Sequence, residues 1–358
     1  MSDFTNPLHE SSVKFPMTEL WNDSCGQGDL RFALDRGAVG ATSNPVIVGG
    51  VLRKEPDLWK ERLEKIIRVE EPKATDEEIC WKLSREMGVS GARMLLPLFA
   101  ESRGKKGRQA LQVNPRFFRD ADRTTAHAIE LSKAAPNILI KMPVSASGIE
   151  AIEKSTYAGV SVNGTVCFGI PQAIAVAEAI ERGLGRRERE HLPIDGISPS
   201  CTIMIGRADD WLKKCVERDN LPVLPQYLEW GGSAIFKKAY RLFRERGYRS
   251  RLLAASNKSH YLWANFIGAD VLITVNPVWW RRMEGCKMEV RKTIDDPVDP
   301  KIIDALYDSI PDFRKIYDVD GLNIEKFETF GAFVETMKEF FTGYDAFLDY
   351  LRGFILTT

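Results

Sequence analysis

Short apolar runs alternate with long amphipathic stretches along this chain, and that alternation restricts the folds open to it. Arg251-Leu-Leu-Ala-Ala-Ser256 and Ala269-Asp-Val-Leu-Ile-Thr-Val275 are near-continuous apolar runs, the pattern of parallel strands covered on both faces. Six more strand patterns precede them: Thr18–Asp23, Ala38–Asn44, Arg108–Asn114, Asn137–Pro143, Val160–Phe168 and Ile194–Ser200. Apolar residues at threes and fours predict helices between them, over 57–70 and 75–102 among others. Asp29 is placed to cap a helix over Leu30–Arg36, and Ser147 with Glu150 three residues on reads as a capping box. Eight strands alternating with helices, each strand ending in polar residues, predict an α/β chain closed into a (β/α)8 TIM barrel. An open doubly wound sheet fits less well. The candidate active residues are scattered over many strand ends, no GxGxxG follows the first strand, and the chain has no GxxxxGK.

With 358 residues, 44% of them hydrophobic, the chain can bury one large core. We read one domain: an N-terminal arm over 1–16, the barrel over 17–285 and a C-terminal helical extension over 286–358. The extension carries Phe327, Phe330, Phe333, Phe340, Phe341, Tyr344, Phe347, Tyr350 and Phe354. Such an aromatic load suits packing on the barrel wall, a lid over its mouth, or a contact in a homo-oligomer. Formal net charge is +0, with no basic surplus for nucleic acid, and no apolar run approaches a membrane span. The start of the chain lacks the charged and apolar regions of a signal peptide. Six scattered cysteines without a CxxC pair fit free thiols in a reducing cytoplasm. His9, His127, His191 and His260 show no metal-ligand spacing, so no metal is expected.

In a barrel the C-terminal strand ends converge on one site. Here they bring Asp23, Asn44, Gln112, Lys141, Asn163 with Thr165, Ser198 and Ser256. Lys141 shares a strand face with Leu139, while Ile138, Ile140 and Met142 take the other. A lysine there either snorkels at an edge or is a desolvated amine that forms an imine with a carbonyl substrate. One amine, one acid and a set of amides and hydroxyls suit imine chemistry on a polyhydroxy substrate. Asp23 is the carboxylate available to take a proton from the hydroxyl at the bond that cleaves.

The motifs Ala41-Thr-Ser-Asn-Pro45, Ile138-Leu-Ile-Lys-Met-Pro143, Val162-Asn-Gly-Thr-Val166, Ile197-Ser-Pro199 and Gly206-Arg207 together resemble the transaldolase family of class I, Schiff-base aldolases, across roughly residues 18–285. The resemblance implies a cofactor-free enzyme acting on sugar phosphates, with Lys141 as Schiff-base lysine and Asp23 as acid–base group. It implies substrate contacts from Asn44, Asn163 and Ser198, a catalytic Thr165, and phosphate binding by Arg207. The family's third-strand glutamate, which works through a water beside the threonine, aligns with Gln112. Glutamine there is similar to the fructose 6-phosphate aldolase branch. The arginine expected after the seventh strand is absent, and Lys258 stands nearest, a cation without the bidentate fork. The expected activity is transfer of a dihydroxyacetone unit between sugar phosphates. The alternatives are a lyase that releases the ketone and a barrel that binds sugar phosphate without turnover.

Overall fold

The computed structural model describes residues 4–357. In chain order, α1 (Pro7–Lys14) precedes β1 (Thr18–Asn22), and α2 (Gln27–Leu34) leads to β2 (Ala38–Thr42). Three helices, α3 (Pro45–Lys54), α4 (Pro56–Lys65) and α5 (Asp76–Glu101), separate β2 from β3 (Arg108–Gln112). Then α6 (Ala121–Ser132), β4 (Ile138–Pro143), α7 (Ala146–Tyr157), β5 (Val162–Cys167), α8 (Ile170–Arg189) and β6 (Ser200–Ile203) follow in strict alternation. After α9 (Ile205–Asp219) and α10 (Gly231–Glu245) come β7 (Arg251–Ala254) and β8 (Val271–Val275). The chain ends in α11 (Pro277–Arg282), α12 (Pro300–Ser309), α13 (Pro311–Tyr317) and α14 (Gly331–Thr357). The strands close as β1 through β8 in order, with β8 back against β1 and every pairing parallel. This is the (β/α)8 barrel that the alternation predicts.

Local chemistry sets many of the boundaries. Asn44-Pro45 and Asn276-Pro277 start helices directly after β2 and β8: each asparagine Oδ1 accepts the backbone N–H three residues on, from Ile47 at 2.9 Å and Trp279 at 3.0 Å. Each proline fills the first helical position, where no N–H is needed. Two cap assignments from sequence are corrected. Ser145, not Ser147, caps α7 by accepting from Gly148 N. Asp29 lies inside α2, which starts at Gln27. There its buried carboxylate holds Lys54 and Arg281, so tertiary pairing overrides the local cap preference.

Side-chain alternation sorts the strands into two layers. Trp21, Ala110, Leu139, Leu253 and Leu272 form a cluster on the barrel axis. Ile138, Ile140 and Met142 face the other way, into the larger core beneath the helices. Below the axial plug the barrel is closed by polar groups: Arg251 Nη1 meets Glu19 Oε1 at 2.8 Å, and Arg108 donates to Gly196 O at 2.8 Å. The stretch read as an arm contains α1, whose Leu8 is fully buried in the main core.

The final helix decides the shape of the mouth. α14 has 27 residues, a length of about 40 Å. Its near half packs by α9, which follows β6, and its far half packs on α3 and α5, beside β2. Those strands stand on opposite sides of the barrel. In between, α14 touches the end of β5, and Phe333 and Phe341 meet Phe118 beyond β3. The aromatic extension is therefore a strap over the C-terminal end. Its last turns, through Tyr344, Phe347, Leu348 and Leu351, close a second apolar core with α3, α4 and α5.

One buried acid gives the fold a pH signature. Asp209 in the second turn of α9 is 4% exposed and accepts the Gly232 N–H at 2.6 Å, tying down the start of α10. Burial pushes its carboxyl up to about 8. The folded state thus holds a proton that the unfolded chain has already released, so the Asp209 contribution to stability falls as pH rises from about 4 to about 8. Asp209→Asn keeps an oxygen for the Gly232 N–H and has nothing to titrate. Relative to the parent protein, its thermal midpoint should therefore rise steadily with pH over that range; parallel curves would show that Asp209 is not the group responsible.

Candidate active site

Lys141 follows Leu139 by two residues on β4, so it points to the same axis one layer nearer the mouth. Gln112, Lys141, Asn163 and Ser200 are in register on four neighbouring strands. Because barrel strands tilt by about 36°, this line descends: Gln112 ends β3, whereas Ser200 begins β6. Two residues beyond Ser200, Thr202 regains the height of Lys141. Asn163 links the levels, with Nδ2 donating to Ser200 Oγ at 2.6 Å and Oδ1 accepting from Thr202 Oγ1 at 2.7 Å. Thr165 lies further up β5, paired in register with Pro143.

Lys141 is 9% exposed. Burial lowers its pKa below the ordinary lysine range, and the negative charge of Asp23 opposes that shift. Asp23 follows β1 directly, its N–H bonded to Val275 O at 2.9 Å, and its carboxylate accepts a hydrogen bond from Thr42. Asn44 uses Oδ1 as the α3 cap, which leaves its amide N–H pair for other partners. The Gln112 side chain is buried, and neither Oε1 nor Nε2 bonds to the protein. Beside it a cavity of about 10 Å3, lined also by Ser43, Asn44 and Ser84, is the size that one water needs. A much wider cleft of about 1050 Å3 opens outside the barrel between α5 and α6. It contains neither Lys141 nor Asp23.

Lys141, Asp23, Gln112, Thr165, Asn163 and Asn44 are thus brought to one end of the barrel. Ser198 is not. The sequence pattern begins the sixth strand at Ile194, but β6 runs Ser200–Ile203 and residues 194–199 form a loop below it. There Ser198 N bonds to Ser161 Oγ, beside the Arg108 contacts at the closed end. Thr202, beside Asn163, is the hydroxyl that β6 brings to the end of the barrel where Ser198 was expected. With β6 ending at Ile203, α9 starts at Ile205, two residues on, so Gly206-Arg207 follows directly after the sixth strand.

Arg207 and Lys258 both reach the rim, and both are occupied. Arg207 Nη1 lies 2.6 Å from Glu339 Oε2 and 3.4 Å from Thr336 Oγ1, both on α14. Lys258 is ion-paired with Asp210 on α9. Gly206 explains the closeness of these segments: a Cβ there would stand 1.9 Å from Ser256 O and 2.7 Å from Lys258 Cγ. Sequence reading missed Thr42, Ser200, Thr202 and Glu339. For the β6 pair a signal existed, since Ser200-Cys-Thr-Ile203 alternates polar and apolar residues.

A buried amine facing a carboxylate, with amides and hydroxyls around it at the C-terminal end of a (β/α)8 barrel, defines a protein equipped for imine chemistry. The model of the Transaldolase/Fructose-6-phosphate aldolase family matches residues 20–315, and the chain belongs to that family. It is 32% identical to a transaldolase of Thiobacillus denitrificans over 199 residues, 53% of this chain and 54% of that one. It is 23% identical to a transaldolase of Kocuria rhizophila, covering 68% and 66% of the two chains, and 26% identical to one of Mycobacterium tuberculosis, covering 72% and 70%. The chain thus spans only about half the length of the Thiobacillus protein.

Proposed function

We propose that the protein is a transaldolase that moves a dihydroxyacetone unit between sugar phosphates through an imine on Lys141. The desolvated Lys141 opposite Asp23 carries this reading, and family membership supports it. The neutral amine adds to the ketose carbonyl, and water leaves with uptake of one proton, giving an iminium. Asp23 takes the proton from the hydroxyl on the carbon beyond the neighbouring one, that carbon–carbon bond breaks, and its electrons enter the iminium to form an enamine. The aldehyde half departs. The enamine carbon then attacks an acceptor aldehyde, Asp23 returns the proton to the new alkoxide, and water hydrolyses the imine to free Lys141.

In this scheme Asn163, held by Ser200 and Thr202, and the free amide hydrogens of Asn44 hold substrate hydroxyls. Thr165 with the Gln112 amide positions the water at the imine, which an amide can orient but cannot deprotonate. The strap of α14 favours transfer over release, because it limits the access of bulk water to the enamine. We also place the enzyme in the cytoplasm, which its six free cysteines support, and a role in the pentose phosphate pathway accords with this chemistry. With a ketose phosphate donor and an aldose phosphate acceptor together, a new ketose should form faster than free dihydroxyacetone appears. Without acceptor, dihydroxyacetone should accumulate slowly. Release at one rate in both cases would make the enzyme a lyase.

A further inference from the structure

We propose that Glu339 is a specificity-determining residue: it holds the guanidinium that a phosphorylated sugar needs, so a phosphate can bind only by displacing a carboxylate of α14. The inference rests on the transaldolase reading and adds what sets the site's discrimination between a phosphorylated and a neutral end group: the competition of Glu339 for Arg207.

The two cations at the β6–β7 rim are each matched by an acid. Arg207 meets Glu339 at 2.6 Å, and Lys258 meets Asp210. The cavity that Arg207 and Glu339 line also holds Lys213, Lys214, Asp210 and Glu335, three cations against three acids, so an incoming phosphate meets carboxylates as well as cations. Arg207 is the cation with the fork suited to phosphate, and its side chain is only 27% exposed, so the site holds it in place. Glu339 is 58% exposed and belongs to the strap that spans the mouth. Losing its partner therefore costs it little solvation, yet it remains the nearest competitor for the guanidinium. Thr336 Oγ1, one turn earlier on α14, braces the same Arg207 nitrogen. The strap thus brings its own anion to the position where a substrate phosphate would sit.

The test compares kcat/KM for fructose 6-phosphate and for fructose as donors, in the parent protein and in Glu339→Gln, Arg207→Ala and the double variant. The parent should use the two sugars with similar efficiency. Glu339→Gln should raise the phosphate-to-neutral ratio on the order of tenfold or more, as expected for freeing a charged hydrogen-bond donor. The double variant should show none of that gain. A ratio that does not rise in Glu339→Gln, or rises as much without Arg207, overturns the proposal. Inorganic phosphate gives a second measurement: it should inhibit turnover of fructose 6-phosphate more strongly in Glu339→Ala than in the parent, and equal inhibition also overturns it. Trapping of dihydroxyacetone by the parent tests the imine reading separately. If trapping occurs and the ratio stays flat, only the role of Glu339 falls; if no trapping occurs, the parent reading falls first.

Discussion

Borohydride reduction in the presence of dihydroxyacetone should leave a covalent mass on the Lys141 peptide, and Lys141→Ala should leave none while turnover drops by about 10⁴-fold or more, as when an enzyme loses its nucleophile. The expectation follows from placement. Lys141 stands on the axial face of β4 above the apolar plug, where water is scarce and the ammonium is poorly solvated. Its lowered pKa puts a larger fraction in the neutral, attacking form near neutral pH. The rate of trapping should rise with pH through a midpoint below the ordinary lysine range. An adduct on another lysine, or a midpoint in the ordinary range, would break the link between burial and reactivity.

Asp23→Asn is the second large effect. Turnover should fall by about two to four orders of magnitude, the loss typical of a positioned proton-transfer group, while trapping survives because the amine is still present. The two residues are also coupled. The Asp23 charge works against desolvation at Lys141. Removing it should therefore move the trapping midpoint further down, not up. A variant that turns over normally would show that another group carries the proton. A midpoint that moves upward would show that the Asp23 carboxylate does not act on Lys141 through its charge.

The sequence determined more of the barrel than of the rim. Parallel strands buried on both faces must be apolar nearly throughout, so β7 and β8 are visible as runs, and the strict parity of a strand fixes which way Lys141 points once Leu139 is known to be inside. Local rules served less well where a distant partner competed. Asp29 has the chemistry of a cap, yet Lys54 and Arg281 hold it inside α2. Ser198 stands in a run that reads as strand, but residues 194–199 do not pair in the sheet, and one start placed too early carried the serine to the wrong end of the barrel. The sequence places Asp23, Asn44, Gln112 and Lys141 at or near strand ends because each sits close to its own strand's boundary, while Asn163 and Thr165 lie inside β5 and are fixed to one face by strand parity. It gives no warning of Glu339, which lies 132 positions beyond Arg207 in number and meets it only because α14 crosses the mouth. Strand parity and turn chemistry act over a few residues and can be read along the chain. An ion pair between the first turn of α9 and the first half of the final helix depends on how whole elements pack, and only the tertiary structure decides that.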